Sequence, residues 1–214
     1  QTKAAIISSN FSSNRAMFGG AISNSNSYVQ IRDCIFEDNK VTGFTGGGAG
    51  RDYQSESLIE GCTFTGNSAY DGGAYAAERC WPKPTIIRNS TFGENLATGG
   101  KYSDGGAILA SECNELTIEN CQFAENWSVS GGAISFYVIS SASLSRCSFR
   151  GNIAAELGGA ILLRGSDMPL SVDHCMFEAN FAGIRGSAIC DAGSPLTSVE
   201  NSLFVSNRAG VGGP

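Results

Sequence analysis

The amino-acid sequence predicts an all-β protein, a right-handed parallel β-helix of about eight coils. Three observations support this prediction: a phenylalanine that returns eight times, an asparagine three residues after each of them, and a glycine pair or near-pair after each asparagine. Successive phenylalanines lie 25 to 31 residues apart. Such a period is typical of solenoid proteins, because one repeat cannot bury its apolar face alone and stacks on its neighbours.

Each repeat has the two-residue alternation of a β-strand. The phenylalanines are Phe11, Phe36, Phe64, Phe92, Phe123, Phe149, Phe177 and Phe204. The asparagines that follow them are Asn14, Asn39, Asn67, Asn95, Asn126, Asn152, Asn180 and Asn207. A cysteine or serine stands two positions before every phenylalanine, and an aliphatic residue stands five positions before it. Side chains two residues apart lie on one face of a strand, so we expect the cysteines and phenylalanines in the core.

The asparagines and glycines predict the turns. Stacking in register would place each residue about 4.8 Å from its counterpart in the next coil. An asparagine amide can bond both to the turn backbone and to the amide of the next coil, which predicts an asparagine ladder. Glycine pairs such as Gly131-Gly132 indicate a turn that needs a positive φ or has no room for Cβ. The extra residues of the longer repeats, at 42–46 and 98–104, are expected in loops.

Composition narrows the classes of function. The 214 residues are 42% hydrophobic and 16% charged, with a net charge of −6, which predicts a folded, acidic protein. The sequence has no cluster of Lys and Arg that could follow a phosphate backbone, so nucleic acid is not an expected partner. The apolar run around Ile134 to Ile139 is too short to span a membrane. We expect no cofactor, since His174 is the only histidine and no cysteines have metal-ligand spacing.

The pairing of FxxN with GGAI in the repeats resembles the chlamydial polymorphic membrane proteins, whose repeats form the passenger regions of autotransporter adhesins. In one coil the two motifs stand as Phe123-Ala-Glu-Asn126 and Gly131-Gly-Ala-Ile134. The second motif departs from GGAI at Gly48-Ala49-Gly50, Gly73-Ala74-Tyr75 and Gly186-Ser187-Ala188-Ile189. The resemblance covers nearly the whole chain and implies a surface-exposed β-helix that takes part in adhesion.

The chain is expected to be one parallel β-helix domain over residues 1–214 and a fragment of a longer chain. Gln1 begins close to a strand, and Gly212-Gly213-Pro214 stops inside a GGAI motif. An exposed terminal coil of a solenoid presents unpaired strand edges, which supports the expectation of further chain or of a partner subunit. Eight cysteines favour an oxidising compartment, so the expected location is extracellular or at the cell surface.

The leading functional hypothesis is a non-catalytic structural or adhesive segment. It would act as a rigid rod or filament component whose loops bind other protein subunits or surface glycans, and end-to-end or lateral self-assembly is left open. The alternative is a carbohydrate-active enzyme, a polysaccharide lyase or hydrolase. That chemistry needs two or three carboxylates on one outer face of the helix.

The best carboxylate pair for the alternative is Asp71 with Asp104. Each stands directly before a glycine pair in neighbouring coils. Four further carboxylates could lie nearby: Asp52, Glu78, Glu112 and Glu156. An aspartate at such a turn more often caps backbone N–H groups. The pair is therefore a candidate for catalysis or for calcium binding. The simpler interpretation is that both aspartates are turn caps.

Aromatic residues in the insertions are the candidates for partner binding. Tyr53, Tyr75, Trp81 and Tyr102 are expected at the surface, and we single out Tyr53, Trp81 and Tyr102 because loops on a rigid scaffold often bind ligands. These three could come together along one edge of neighbouring coils.

Glycosylation sequons begin at Asn10, Asn89 and Asn126. Asn126 belongs to the predicted ladder, which would shield it from modification. Asn10 and Asn89 are therefore the glycosylation candidates.

A disulfide is predicted between Cys80 and Cys113. Each lies eight residues after the first glycine of its own pair in adjacent coils, and neighbours in register fall within the Cα range of a disulfide. The cysteines before the phenylalanines are expected to be reduced and buried, like small apolar residues. They are Cys34, Cys62, Cys121, Cys147 and Cys175. The partner of Cys190 is left open.

Overall fold

The computed structural model describes residues 3–165, 169–193 and 196–210, without the side chains of Tyr102, Leu196 and Thr197. These residues form 31 short strands, one 3₁₀ turn and no α-helix. Strands that are neighbours in space come from successive repeats, and every pair is parallel. The chain therefore winds as a parallel β-helix.

The strands follow one another coil by coil. The first two coils contain β1 (Lys3–Ile7), β2 (Asn10–Ser12), β3 (Arg15–Ala16), β4 (Ile22–Ser25), β5 (Tyr28–Arg32), β6 (Ile35–Glu37), β7 (Lys40–Val41) and β8 (Gly50–Tyr53). The next two contain β9 (Glu56–Glu60), β10 (Thr63–Thr65), β11 (Ser68–Ala69), β12 (Tyr75–Glu78), β13 (Pro84–Arg88), β14 (Thr91–Gly93), β15 (Leu96–Ala97) and β16 (Ile108–Ser111). A 3₁₀ turn (Gly100–Tyr102) separates β15 from β16.

The second half repeats the same order. The fifth and sixth coils contain β17 (Glu115–Glu119), β18 (Gln122–Ala124), β19 (Trp127–Ser130), β20 (Ile134–Tyr137), β21 (Ser141–Ser145), β22 (Ser148–Arg150), β23 (Ile153–Leu157) and β24 (Ile161–Arg164). The last two contain β25 (Pro169–Asp173), β26 (Met176–Glu178), β27 (Phe181–Ala182), β28 (Ile189–Ala192), β29 (Leu196–Glu200), β30 (Leu203–Val205) and β31 (Arg208–Ala209).

Four sheets run along the helix. The first three, which begin with β1, β2 and β3, have eight strands each, and the fourth, from β4 to β28, has seven. The described residues thus form seven complete coils and three strands of an eighth, which confirms the predicted fold and its number of coils. Residues pair in register as the period requires, for example Phe64 with Phe36 on one side and with Phe92 on the other.

The core consists of columns of identical or similar side chains. The eight phenylalanine rings stack with centroids 4.6 to 4.9 Å apart and planes within 6° of parallel. The aliphatic column is buried from Ile31 to Val172, and so are the five core cysteines, whereas Ile6 in the first coil is half-buried and Val199 in the last coil is exposed. The inward assignment of these columns is confirmed. Each ring between Phe11 and Phe204 gains aromatic contact on both sides in addition to the apolar area that it buries.

The asparagine ladder is also confirmed. Asn67 donates from Nδ2 to Oδ1 of Asn95 (3.0 Å) and to the carbonyl oxygen of Phe36 (3.0 Å), while its backbone N–H donates to the same Oδ1 of Asn95 (3.1 Å). The pattern repeats from Asn39 to Asn180. Each amide thus satisfies backbone groups at the buried turn between the second and third sheets, where water could not.

The glycine pairs are needed both for a positive φ and for lack of room for a Cβ, the two explanations that the sequence left open. Gly131 has a φ of 64°, in the left-handed region that favours glycine. A Cβ on Gly132 would lie 2.1 Å from the carbonyl oxygen of Gly159 in the next coil. The turn into the fourth sheet therefore needs glycine first for its dihedral angles and then for the close approach of two coils.

Tyr75 replaces the isoleucine of the GGAI motif, and Gly50 in the previous coil makes room for its ring. This arrangement corrects two expectations. Tyr75 and Asp52 were expected at the outer surface, but both are fully buried in the core. Tyr75 lies opposite Gly50, and a Cβ on Gly50 would be 3.1 Å from the ring. The missing side chain at Gly50 leaves room for the tyrosine, whose hydroxyl donates a hydrogen bond to the Asp52 carboxylate and lies 3.0 Å from the Ser57 hydroxyl. Burial raises the pKa of Asp52.

Candidate functional site

The outer edge of the fourth sheet carries a column of chemically varied side chains. They are the last residues of its seven strands: Ser25, Tyr53, Glu78, Ser111, Tyr137, Arg164 and Ala192. These residues face outward because the alternate positions, such as Asp52 and Ala77, point into the core. Rigid strands thus hold tyrosine, carboxylate, hydroxyl and guanidinium groups about 4.8 Å apart.

Two of the predicted binding aromatics lie at this edge, on either side of one ion pair. Arg79 donates from Nη1 to the hydroxyl of Tyr53 (3.1 Å), and its Nε lies 3.2 Å from Oε2 of Glu112. Trp81 follows two residues after Arg79 and is 62% exposed. Tyr53 lines a groove on one side of the Arg79–Glu112 ion pair, and Trp81 lines a cleft on the other side. Arg79 and Glu112 line both the groove and the cleft.

Tyr102 lies elsewhere. Its backbone belongs to the 3₁₀ turn that precedes the fourth sheet, whereas Tyr53 and Trp81 lie at the end of that sheet and in the turn after it. Its side chain is outside the described residues. The structure thus brings together Tyr53 and Trp81, and a binding role for Tyr102 stays a prediction.

The groove beside Tyr53 contains a guanidinium fixed on several sides. The Arg51 guanidinium lies 5.0 Å from the ring centroid of Phe18 and 4.9 Å from that of Tyr53. It also donates from Nη2 (2.6 Å) and Nε (3.2 Å) to one oxygen of Glu78. Two cation–π contacts and a paired carboxylate hold this side chain in one orientation. Asp71 and Ser111 line the same groove, which has a volume of about 400 Å³.

The Asp71 and Asp104 pair is adjacent as expected. The backbone N–H of Asp104 donates to Oδ1 of Asp71 (2.9 Å), and Oδ2 of Asp104 lies 3.4 Å from Nη1 of Arg164. The first contact is a turn cap across two coils, which is the simpler interpretation of this residue type. Burial raises the pKa of Asp71 to about 7, with the hydrogen bond from the Asp104 backbone acting in the opposite direction and charge repulsion from Asp104 and Glu78 adding to the rise. Burial also raises the pKa of Asp104 to about 6, with Arg164 acting in the opposite direction.

The chemistry available to this pair is proton exchange near neutral pH. A carboxyl group whose pKa is near 7 can hold or release a proton at that pH, as an acid catalyst must. Within the described part of the chain, no three His, Cys, Asp or Glu side chains are grouped so that they could hold a metal ion. Catalysis and calcium binding at this pair stay predictions.

The arginines of the site were missed by the sequence reasoning, which named Glu78 and Glu112 only as carboxylates that could lie near Asp71 and Asp104. Arg79 and Glu112 directly precede Cys80 and Cys113, which were paired from their equivalent positions in adjacent coils. The same offset of 33 residues relates Arg79 to Glu112, so the signal was present in the register. Arg51 and Glu78 lie in diagonal rather than equivalent positions, and the repeat alone gives no such pair.

The predicted disulfide cysteines are neighbours in the core. Cys80 and Cys113 are buried free thiols in hydrogen-bond contact. The hydrogen bond from Cys113 lowers the pKa of Cys80 and raises that of Cys113. The disulfide stays a prediction, which peptide mapping under non-reducing conditions would check. If both thiols can be alkylated after unfolding without reductant, the disulfide is absent.

Of the remaining six cysteines, five lie in the core as predicted, and Cys190 lies on the fourth sheet. The five cysteines before the phenylalanines are buried and free. Cys190 pairs in register with Leu162 on the fourth sheet, and its partner stays open.

The glycosylation candidates are exposed. Asn10 is exposed in β2, and Asn89 is exposed in a turn with a φ of 51°. Asn126 is fully buried in the ladder, as expected. Glycosylation of Asn10 and Asn89 stays a prediction.

Comparison with known proteins places this architecture in a family. Residues 52–212 match the family described as the right handed beta helix region. The chain belongs to the right-handed β-helix family. No solved structure is significantly similar to this β-helix. The described residues contain no helix that is long and apolar enough to cross a bilayer.

Two curated proteins of Dictyostelium discoideum are similar to this β-helix. Metabotropic glutamate receptor-like protein P is 34% identical over 140 residues, which cover 65% of this chain and 10% of that protein. Metabotropic glutamate receptor-like protein R is 35% identical over 108 residues, which cover 50% of this chain and 6% of that protein. The β-helix therefore spans a tenth or less of the length of these relatives.

Proposed function

We propose that this β-helix is a non-catalytic segment of an extracellular or cell-surface protein, a rigid scaffold that binds its partners along the outer edge of the fourth sheet. The observation that supports this most is the convergence of Tyr53, Arg79, Glu112 and Trp81 on one edge of a regular stack. Elsewhere the repeat accounts for the recurring polar residues. Function on a regular scaffold tends to lie where regularity breaks.

Three further observations favour this proposal. The similar Dictyostelium proteins are described as receptor-like, the repeats resemble those of adhesin passengers, and eight cysteines suit an oxidising compartment. The partners would be surface glycans or other protein subunits. Because in-register stacking makes the scaffold stiff, side chains of the edge need little ordering on binding.

The test compares the binding of labelled protein to the surface of cells from its own source. The double variant Tyr53→Ala and Trp81→Ala should lose most of the binding. Trp127→Ala is the matched control, because Trp127 is half-buried on the third sheet, between Leu96 and Ile153. Equal binding by wild type and the double variant would reject the proposal.

A second candidate function, carbohydrate-active enzyme, is favoured by one observation: the adjacent Asp71 and Asp104 carboxyl groups with raised pKa values. Incubation with a panel of polysaccharides and measurement of released reducing ends tests it. In our proposal the double variant Asp71→Asn and Asp104→Asn still binds partners, and wild type releases no sugar. Sugar release that this double variant abolishes would replace the scaffold with an enzyme.

A further inference from the structure

The open cleft beside Trp81 has the volume of a small-molecule site. Its volume is about 490 Å³, within the range of about 300 to 1,000 Å³ that ligand pockets occupy. Trp81 forms one wall, and Val138 (44% exposed) and buried Ile139 form an apolar floor. The floor is fixed because Ile139 belongs to the core of the fifth coil. The cleft therefore presents a flat aromatic ring beside a rigid apolar surface.

The rim of the cleft is polar and supplies both hydrogen-bond donors and acceptors. Arg79 and Glu112 form one side of the rim, and Gln54 and Ser140 contribute an amide and a hydroxyl. A guanidinium carries five N–H donors and a carboxylate accepts about four hydrogen bonds. The Arg79–Glu112 pair thus retains donors and acceptors beyond its contacts with Tyr53 and with each other. An apolar ligand would remove these groups from water without replacing their hydrogen bonds, which is costly.

The groove that continues past the ion pair is slightly acidic. Its carboxylates are Asp71, Glu78, Asp104 and Glu112, and its cations are Arg51, Arg79 and Arg164. Each arginine forms an ion pair with one of these carboxylates, whereas Asp71 accepts its hydrogen bond from a backbone N–H. All three arginines of the groove are thus already paired, so an anionic ligand would find no unpaired cation there, and any ionised Asp71 would repel it.

We infer that the Trp81 cleft is a binding subsite for a neutral saccharide, whose ring stacks on the indole while its hydroxyls bond to the Arg79 and Glu112 rim. A sugar ring has an apolar C–H face and hydroxyls that both donate and accept, which matches an aromatic wall with an amphoteric rim. This inference rests on the proposed function and names the partner class of the same edge. Longer saccharides extend from the cleft across the ion pair into the Asp71 groove.

The experiment uses Trp81 as its own reporter. The protein contains two tryptophans, Trp81 and Trp127, so in the Trp127→Phe variant the fluorescence comes from Trp81 alone. This variant is titrated to millimolar concentration with hexasaccharides of glucose, mannose, galactose and N-acetylglucosamine, and with the hexamer of galacturonic acid. We expect a saturable change in emission with at least one neutral hexasaccharide and weaker or no binding of the galacturonate.

Calorimetry with variants locates the binding. Trp81→Ala should weaken the affinity for the bound hexasaccharide at least tenfold, Trp81→Phe should weaken it less, and the matched control Trp127→Ala should leave it unchanged. Circular dichroism and the melting temperature confirm that each variant is folded. Tighter binding of galacturonate, undiminished affinity in Trp81→Ala, or binding of none of the neutral hexasaccharides would overturn the inference.

The experiments distinguish failure of the saccharide inference from failure of the proposed function. If the Tyr53 and Trp81 double variant loses binding to cells but no neutral hexasaccharide binds wild type, the edge serves a protein partner and only the saccharide inference falls. If the double variant binds cells like wild type, the proposed function itself falls.

Discussion

At the scale of single residues, one side chain can bond to several backbone groups at a buried turn, as Asn95 does in the middle of the ladder. Its Oδ1 accepts from the backbone N–H and from the amide of Asn67, and its Nδ2 donates to the carbonyl oxygen of Phe64 (3.0 Å) and to Asn126. Aspartate could accept at this position but could not donate, and glutamine would be too long for the turn. The recurrence of asparagine follows from this double requirement.

Replacing Asn95 with Ala should destabilise the protein by about 3 kcal/mol, since a buried N–H and a buried carbonyl lose their partners at about 1 to 3 kcal/mol each. Asn10→Ala is the matched control, because Asn10 is exposed in β2 and its replacement should change stability by no more than about 0.5 kcal/mol. Urea denaturation followed by circular dichroism measures both. Equal midpoints for the two variants would show that the ladder does not stabilise the turn.

Asp71 should make stability depend on pH. Burial raises its pKa from 3.8 to about 7, so between these values the folded protein binds more protons than the unfolded chain. Stability therefore falls as pH rises through this window, and the contribution is fully present only below pH 3.8. Asp71→Asn should flatten the fall in melting temperature between pH 4 and pH 7 relative to wild type. An identical pH profile in wild type and variant would contradict this assignment.

At the scale of elements, the corners decide how closely the coils stack. Turns into the fourth sheet use glycine pairs, while turns between the second and third sheets place a residue with a positive φ directly before the ladder asparagine. At that second corner the residue type varies widely, from Gly66 to Glu94 and Ala179. A positive φ alone tolerates such side chains at some cost. The close contact between coils at the glycine pairs does not tolerate a Cβ.

Gly132→Ala tests the glycine corner. The new Cβ would lie 2.1 Å from the carbonyl oxygen of Gly159 and 2.8 Å from the Ile153 backbone, so the coils must separate, at a cost of about 1 to 3 kcal/mol or more. Gly93→Ala is the control, since the nearest atom to its Cβ is 4.0 Å away, and we expect a change within about 0.5 kcal/mol. Melting temperatures compare the two. A Gly132→Ala protein as stable as Gly93→Ala would refute the steric argument.

At the scale of the whole molecule, the stack is nearly one-dimensional. Within the phenylalanine column, each internal ring stacks on the ring before it and on the ring after it, as Phe92 does with Phe64 (4.7 Å) and Phe123 (4.9 Å). Stability of such a protein is close to a sum over coils and the interfaces between them. A side chain in the middle of the stack therefore contributes to two interfaces, and Phe11 in the first coil stacks on Phe36 alone.

Phe92→Ala should consequently cost about 3 to 5 kcal/mol, the range for a fully buried phenylalanine, and Phe11→Ala clearly less. Denaturation of the two variants, with a check that two probes give the same transition, measures the difference. A loss at Phe11 equal to that at Phe92 would indicate that stability is distributed over the whole stack rather than over neighbouring coils.

The sequence by itself determined the fold, the register and the core columns. A period of 25 to 31 residues with Phe and Asn at fixed offsets specifies both which face is buried and which residues stack. It could not show that Tyr75 turns inward, because that depends on the space left by Gly50 in the previous coil. The register relates Arg79 to Glu112, but it could not show that Arg79 also donates to Tyr53 or that Trp81 lies beside this ion pair. Only the tertiary structure decided the site, since insertions of unequal length set which outward side chains of different coils meet, and the repeat does not constrain outward positions.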